Sequence, residues 1–303
     1  MINAANLKKR LAFVAVAVPV SFVIVSSDFS LSAFVLKLLG MDPAMSHDIY
    51  PGQILALTVV MLGAHEYMKM LSVANRVNAF WLGHLWILVM SAAYLVGYPI
   101  PATVSNSALL ILVAFEAFFC GKDAPQGRWK RASLFFSGTI FLNIASISLM
   151  GFYRDPIHIL FHAPAIPVIA RLDVVFVVTS VFMCDSAAYF VGSAWGKRRL
   201  SAISPNKTIE GSLAGLAASM VIMSVCWIFI RNPEYPIIMG VAIGALIGVT
   251  AQVGDLLVSL IKRYFKVKDA SHIIPGHGGI LDRFDSLFFT APVLYLFAWL
   301  LTR

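Results

Sequence analysis

The chain has 303 residues, of which 59% are hydrophobic and 13% are charged, and its mean hydropathy is +0.84. Soluble domains carry about 25% charged and about 45–50% apolar residues, so a soluble enzyme, a disordered chain and a secreted disulfide scaffold are excluded. The formal net charge is +8, which in a membrane protein points first to basic cytosolic loops and then to anionic lipids or nucleotides.

Nine apolar stretches are long enough, or nearly so, to cross a bilayer as helices, which takes about 20 residues each. In chain order they are 11–27, 53–71, 79–98, 102–120, 132–151, 173–195, 212–230, 236–261 and 286–302. A shorter stretch, 31–39, is consistent with a surface helix. The sequence therefore predicts an all-α, polytopic membrane protein of about nine transmembrane helices.

The distribution of Lys and Arg supports this arrangement, because cytosolic loops carry the excess of basic residues in membrane proteins. With the N-terminus in the cytosol, 18 of the 23 basic residues fall on the cytosolic side. A missed or extra span would scramble this alternation. We therefore expect a cytosolic N-terminus and an external C-terminus, with five spans in residues 1–171 and four in residues 172–303.

Four acidic residues fall inside the predicted spans, where charged groups are costly and usually mark function. They are Glu66, Glu116, Asp185 and Asp255. The topology places all four in the cytosolic half of the membrane, which indicates a polar cavity that opens to the cytosol and holds a cation. For Glu66 and Glu116, local pairing or an interfacial position is an equally good interpretation.

Glycines four residues apart recur in the C-terminal spans. They are Gly192 and Gly196, Gly211 and Gly215, and Gly240, Gly244 and Gly248. Small residues at this spacing let two helix backbones approach each other. We therefore expect these stripes to serve close helix packing.

The first of two basic loops follows the Asp185 helix and contains Lys207. Ser204, which precedes a proline, predicts an extended turn, and Thr208 is a candidate N-cap of the next helix. A helix start presents backbone N–H groups and the positive end of a dipole to an anion. An ordinary positive-inside loop is an equally good interpretation.

The second loop combines acids, bases and glycines. Three glycines around His277 predict a backbone nest that binds an anion, and Asp282 and Asp285 are hard oxygen ligands suited to Mg²⁺. The bases that can neutralise a polyphosphate are Lys262, Arg263, Lys268 and Arg283. Together these features predict a Mg²⁺-dependent enzyme that acts on phosphates at the cytosolic membrane face, with residues 172–303 as its catalytic region.

The stretch from Ser259 to Asp285, with Pro275-Gly-His-Gly-Gly-Ile-Leu-Asp-Arg283 near its end, resembles the C-terminal signature of the CDP-diacylglycerol synthases, or phosphatidate cytidylyltransferases. The blocks 185–192 and 204–211 resemble two further blocks of that family. The resemblance covers roughly residues 180–290. Two places depart from the commonest pattern: Asn206 stands where a second lysine is frequent, and Ser186-Ala187 where Thr-Gly is frequent.

The resemblance implies conversion of CTP and phosphatidate to CDP-diacylglycerol and pyrophosphate, in phospholipid biosynthesis. It implies an integral membrane protein, with the bacterial inner membrane as its expected location, that faces the cytosol, contacts membrane lipids, forms a homodimer and binds no nucleic acid. By position, the implied catalytic residues are Asp255, Asp282, Lys262 and Lys207. The implied ligands of Mg²⁺ and of a second cation are Asp255, Asp282, Asp285 and Asp185. The implied substrate-binding residues are Ser204, Thr208, Arg263, Lys268, His277, Gly278, Gly279, Arg283 and Tyr189.

Other functions stay open. A CTP-dependent lipid kinase, or a cytidylyltransferase for another lipid phosphate, would use the same loops. A secondary transporter would use Asp185 and Asp255 as an ion or proton relay. The two similar halves that are usual in such transporters are not evident in the sequence, and the charged glycine loop would have no role in one.

Overall fold

The protein is predominantly helical in the part of the chain that the structure, a computed structural model, describes. That part comprises residues 30–38, 48–75, 80–97, 125–153, 172–230, 236–274 and 278–301. Its helices are α1 (Leu31–Leu38), α2 (Pro51–Asn75), α3 (Phe80–Leu95), α4 (Pro125–Gly151), α5 (Leu172–Trp195), α6 (Ile209–Ile230), α7 (Ile238–Tyr264) and α8 (Leu281–Leu301). Extended pairing within these residues is limited to two isolated bridges, so the predicted all-α class is confirmed for them.

Six of the described helices are long and apolar enough to cross a membrane. Their apolar segments are Pro51–Leu71, Ala132–Gly151, Val174–Trp195, Ile209–Ile228, Ile238–Tyr264 and Leu281–Leu301. A shorter apolar helix, Trp81–Leu95, lies within the predicted span 79–98. The predicted spans 11–27 and 102–120 lie outside the described residues. The count of nine and the orientation of the termini therefore stay predictions.

The last helix begins at Leu281, earlier than the predicted span 286–302. Its first two turns contain Asp282 and Asp285. These charged residues lower the local hydropathy, so a prediction based on hydropathy places the start of the helix too late. The consequence is functional, because both aspartates stand on a helix rather than in a loop. The predicted short helix at 31–39 is confirmed as α1.

The described helices divide between two compact units. Unit 1 takes the described residues between 151 and 268 and those from 282 onward, and unit 2 takes those up to 150 and those from 269 to 281. The segment 269–281 comes late in the chain, but it packs within unit 2. The predicted functional division at residue 171 stays a prediction.

Helix α6 packs against both α5 and α7 in unit 1, and glycines make that packing close. A Cβ atom at Gly215 would lie 2.7 Å from the carbonyl oxygen of Cys184 on α5. A Cβ atom at Gly244 of α7 would lie 2.6 Å from Met220 Cα on α6. Since neither position has room for a side chain, the close packing predicted at these stripes is confirmed.

Polar side chains join the helices of unit 2 across their buried faces. Tyr67 Oη on α2 donates to Leu134 O on α4 at 2.8 Å, and Ser91 Oγ on α3 lies 2.8 Å from Ser146 Oγ on α4. Such bonds satisfy polar groups that an apolar interior would otherwise penalise. The first bond holds α2, which carries Glu66, against α4, and the second holds α3 against α4.

Candidate active site

The first predicted phosphate loop is a short hairpin between α5 and α6. Arg199 and Thr208 form an antiparallel bridge, and Leu200 N donates to Lys207 O at 2.8 Å. Lys207 N donates to Ser204 O at 3.1 Å and closes the predicted turn. The backbone of Lys207 is therefore bonded through both its N–H and its carbonyl group, which fixes the base of its side chain.

Thr208 caps the start of α6, as the sequence predicts. Gly211 N donates to Thr208 Oγ1 at 3.2 Å, which is the bond that joins an N-cap residue to the third residue of its helix. Ile209 N donates to Arg198 O at 2.9 Å. Because acceptors of the protein itself bind these two amides, they do not form the open anion site that a free helix start would offer.

Glu210 fixes the other strand of the hairpin. Its Oε2 atom accepts hydrogen bonds from Lys197 N at 3.1 Å and from Arg198 N at 3.3 Å. Sequence reasoning missed this role. An acid in the first turn of a helix predicts a favourable interaction with the helix dipole, but it does not reveal a bond to a strand 12 or 13 residues upstream.

Lys207 forms an ion pair with Asp255 of α7. Each side chain is 26% exposed, so the pair is partly sheltered and still reachable from solvent. Asp255 Oδ1 also accepts from Ser259 Oγ at 3.3 Å, one turn further along α7. The structure thus brings together one predicted catalytic residue from each of the two motifs.

A second and more deeply buried ion pair joins Lys262 to Asp282. Lys262 Nζ donates to Asp282 Oδ1 at 2.7 Å, and the two side chains are 12% and 8% exposed. Lys262 lies in the last turn of α7 and Asp282 in the first turn of α8. The end of α7 and the start of α8 thus bring two opposite charges together, and each charge compensates the other for its loss of contact with water.

The two remaining predicted acids lie beside these pairs in unit 1. Asp185 of α5 interacts electrostatically with Asp255, and Asp285 of α8 interacts with both of them. Asp285 is buried, and its Oδ1 accepts from Ser286 N at 2.7 Å. Helix α8 packs closely against α7 beside this cluster. A Cβ atom at Gly254 of α7 would lie 2.8 Å from the Asp285 carbonyl oxygen, so only a glycine allows this approach. All four predicted aspartates thus belong to one cluster with Lys207 and Lys262.

Comparison with known proteins identifies the family. The model of a family described as the cytidylyltransferase family matches residues 26–301. The chain belongs to the cytidylyltransferase family. It is 46% identical over 116 residues to a phosphatidate cytidylyltransferase of Bacillus subtilis (strain 168), a match that covers 38% of this chain and 43% of the relative. It is 46% identical over 121 residues to a protein of that name from Synechocystis sp., covering 40% and 41%.

A phosphatidate cytidylyltransferase of Staphylococcus aureus (strain COL) is similar to the same degree, with 45% identity over 116 residues that are 38% of this chain and 44% of the relative. The chain thus spans less than half the length of each of these relatives. The resemblance seen in the signature motif is confirmed.

The aspartate cluster fits a hard divalent cation in its chemistry. Like-charged carboxylates that lie close together are stabilised by a cation, and Asp185, Asp255 and Asp285 are such a group. Within the described residues, no three His, Cys, Asp or Glu side chains form a ready-made metal site. Mg²⁺ commonly uses one or two carboxylates together with water and substrate phosphates, so it does not need one.

Gly278 and Gly279 of the second loop lie in unit 2, and Gly279 lies against a carboxyl group of the protein itself. Gly278 has a φ of 88°, a left-handed conformation that favours glycine, and its carbonyl accepts from Ile274 N at 3.0 Å. A Cβ atom at Gly279 would lie 2.8 Å from Glu66 Oε1. The carboxyl group of Glu66 therefore occupies the space beside Gly279. Gly276 and His277 lie outside the described residues, so the predicted anion-binding nest stays a prediction.

The other predicted substrate residues lie at the surface. Arg263, Lys268 and Arg283 are exposed, and Tyr189 is 65% exposed on α5. His277 lies outside the described residues. Assignment to substrate binding stays a prediction for these five and for Ser204, Thr208, Gly278 and Gly279.

Proposed function

We propose that the protein transfers the cytidylyl group of CTP to phosphatidate and so makes CDP-diacylglycerol and pyrophosphate. The observation that carries this proposal is the cluster in which Lys207 pairs with Asp255 and Lys262 pairs with Asp282, in a chain of the cytidylyltransferase family. Membership of the family supports a nucleotide substrate. The names of the relatives support phosphatidate as the acceptor.

The reaction needs charge neutralisation more than it needs a strong base. A phosphate oxygen of phosphatidate, already anionic, attacks the α-phosphorus of CTP. A new P–O bond forms, the bond from the α-phosphorus to the bridging oxygen breaks, and pyrophosphate leaves with that electron pair. Because both reactants are polyanions, their mutual repulsion is a large part of the barrier, and positioned cations lower it.

Lys207 and Lys262 form ion pairs within the aspartate cluster, and Arg283 interacts electrostatically with Asp185. A lysine ammonium on a flexible stem can pair with an aspartate before a substrate phosphate arrives and then bind the phosphate. The more exposed Lys207 is the better candidate for the first contact with the triphosphate. Lys262, held at 2.7 Å by Asp282, is the better candidate for stabilising the negative charge that develops on the phosphates during transfer.

The proposal includes Mg²⁺, with a second cation beside it, as the cofactor. Asp255 and Asp282 would hold the ions, and Asp185 and Asp285 would support them. When bound, such ions would supply positive charge that neutralises the substrate phosphates. The aspartates themselves would orient the ions and would repel substrate phosphates that arrive without one.

The proposed location is the bacterial inner membrane, with the active site facing the cytosol and the protein a homodimer. Phosphatidate and the lipid product require access from the bilayer, whereas CTP requires access from water. A predicted site in the cytosolic half of the membrane meets both needs. Native mass spectrometry in lipid nanodiscs tests the dimer, since a monomer has a mass of 33.1 kDa.

Two differently labelled samples of CTP test the proposed reaction. Purified protein in phosphatidate vesicles with Mg²⁺ should move label from [α-³²P]CTP into the lipid phase and should leave label from [γ-³²P]CTP in the water phase. Lipid label from the γ-phosphate would instead identify a lipid kinase. A panel of lipid phosphates would reveal a cytidylyltransferase with another acceptor, and absence of transfer to every lipid would contradict the proposal.

A further inference from the structure

Glu66 is a buried acid that the proposed chemistry does not use. It lies in the C-terminal half of α2 in unit 2 and has no exposed surface. Its Oε1 atom accepts from Ile280 N at 2.9 Å and also from Ser271 Oγ, and its Oε2 atom accepts from Leu281 N at 2.7 Å. Three donors from one loop therefore converge on a single carboxyl group.

The three donors lie in the segment 269–281, whose last residue, Leu281, is also the first residue of α8. Ser271 is near the start of this segment, and Ile280 and Leu281 are at its end. Hydrogen bonds to a carboxylate are stronger than bonds between neutral groups, and a buried carboxyl group is costly unless it is bonded. Glu66 therefore holds Ser271 at one end of the segment and the backbone of Ile280 and Leu281 at the other.

Leu281 is followed directly by Asp282, one of the predicted catalytic residues. We propose that Glu66 is a positioning residue, which fixes the backbone at 280–281 and thereby the start of α8 from which Asp282 extends. The kinetic part of this inference rests on the proposed cytidylyl transfer, and the structural part does not. Glu66 acts through the loop, because both of its oxygens are bonded to the loop.

Gly279 leaves the space that the Glu66 carboxyl group needs to reach the loop. A Cβ atom at this position would lie 2.8 Å from Glu66 Oε1 and 2.8 Å from the Glu66 carboxyl carbon. Any larger residue at 279 would therefore displace the carboxyl group from the amides. The glycine is explained by the approach of Glu66, and a substrate phosphate is not needed to account for it.

Amide hydrogen exchange tests the structural part directly. In Glu66→Gln, the side-chain NH₂ group must face at least one loop N–H, whichever way the amide is turned. We expect the Ile280 and Leu281 amides to exchange at least about tenfold faster in lipid nanodiscs, because a bond that protects them is lost. Unchanged exchange at both amides would overturn the proposal.

Gln53→Leu is the matched control. Gln53 also lies on α2, is equally buried and donates to Met150 O at 3.2 Å, so its loss weakens the same helix in unit 2. We expect Gln53→Leu to leave kcat and the exchange at 280 and 281 unchanged. Glu66→Gln should lower kcat by about 10- to 100-fold, the usual effect of small misplacements of catalytic groups. Equal effects of the two variants on kcat and on exchange would show that Glu66 has only a structural role and would overturn the proposal.

Gly279→Ala keeps Glu66 itself and so provides a second test if Glu66→Gln is unstable, and a double-mutant cycle extends it. Gly279→Ala should lower kcat about as much as Glu66→Ala does, and the double variant should be no worse than Glu66→Ala alone, because the clash has gone. Additive losses would overturn the proposal and would point to a substrate contact of Gly279. If the wild type transfers no cytidylyl group, the proposed function fails, while the exchange measurements still decide the role of Glu66.

Discussion

At the scale of single residues, the two ion pairs of the cluster differ in exposure, and this difference sets what each contributes. Ion pairs that water reaches contribute about 0–1 kcal/mol, because water screens them. Breaking a buried pair costs about 3–5 kcal/mol, because a charge is left without a partner. The pair of Lys207 and Asp255 is nearer the first case, and that of Lys262 and Asp282 is nearer the second.

The stability of two lysine variants should therefore differ. Lys262→Gln leaves Asp282 buried without a counter-charge and should lower the thermal unfolding midpoint clearly. Lys207→Gln leaves Asp255 26% exposed to water, and its effect should correspond to less than about 1 kcal/mol. Differential scanning fluorimetry of the two detergent-solubilised variants measures this. A larger loss for Lys207→Gln would contradict the burial that the structure gives these pairs.

Asp282→Asn should abolish most of the transfer, and it should also lower the unfolding midpoint because Lys262 loses its counter-charge, so the assay is run well below that midpoint. The asparagine keeps the shape and an acceptor for Lys262 Nζ, but it removes the charge that the proposal assigns to cation binding. We expect kcat to fall at least about 100-fold, a usual loss when an electrostatic group of this kind is removed. The assay with α-labelled CTP measures it.

Asp48→Asn is the control for that substitution. Asp48 is exposed, accepts a hydrogen bond from Ser30 Oγ at 2.6 Å and belongs to unit 2, so the same chemical change there should leave kcat unaltered. If Asp282→Asn retains full activity, the assignment of the metal and of the catalytic aspartate is wrong.

At the scale of elements, the sequence predicted those features that depend on neighbouring residues or on a repeat along one helix. The Thr208 cap and the glycine packing of α5, α6 and α7 follow from residues that are close in the sequence or repeat along one helix, and both are confirmed. Glu210 and Glu66 anchor loops through tertiary contacts, 12–13 and more than 200 residues away in the chain. No periodicity marks such partners, so the sequence showed Glu66 as a costly charge and left its partner open.

Thr208 links the cap of α6 to the position of Lys207. Thr208→Ala removes the acceptor for Gly211 N and should destabilise the helix start by about 1 kcal/mol. It should also loosen the bridge beside Lys207 and lower kcat/KM for CTP. Thr208→Ser keeps the hydroxyl and should restore both quantities. Unfolding midpoints and initial rates at several CTP concentrations check this, and equal effects of Ala and Ser would contradict the capping role.

At the scale of the whole molecule, the pairing of Lys207 with Asp255 bears on topology. Lys207 precedes α6 and Asp255 lies on α7, so both motifs face the same end of unit 1, as an α6–α7 hairpin requires. The positive-inside count predicts that this end is cytosolic. The nine crossings and the sides of the termini depend on segments outside the described residues.

Cysteine labelling tests that topology. In a background with the three native cysteines replaced by alanine, Ala202→Cys in the exposed part of the first loop should react with a membrane-impermeant maleimide only after spheroplasts are opened. Thr302→Cys at the C-terminus should react in intact spheroplasts, because an odd number of crossings places the two sites on opposite sides. Labelling of both sites under the same condition would require an even number of crossings between them. If Ala202→Cys alone is labelled in intact spheroplasts, the topology is the reverse of the predicted one and the proposed CTP site lies outside the cytosol.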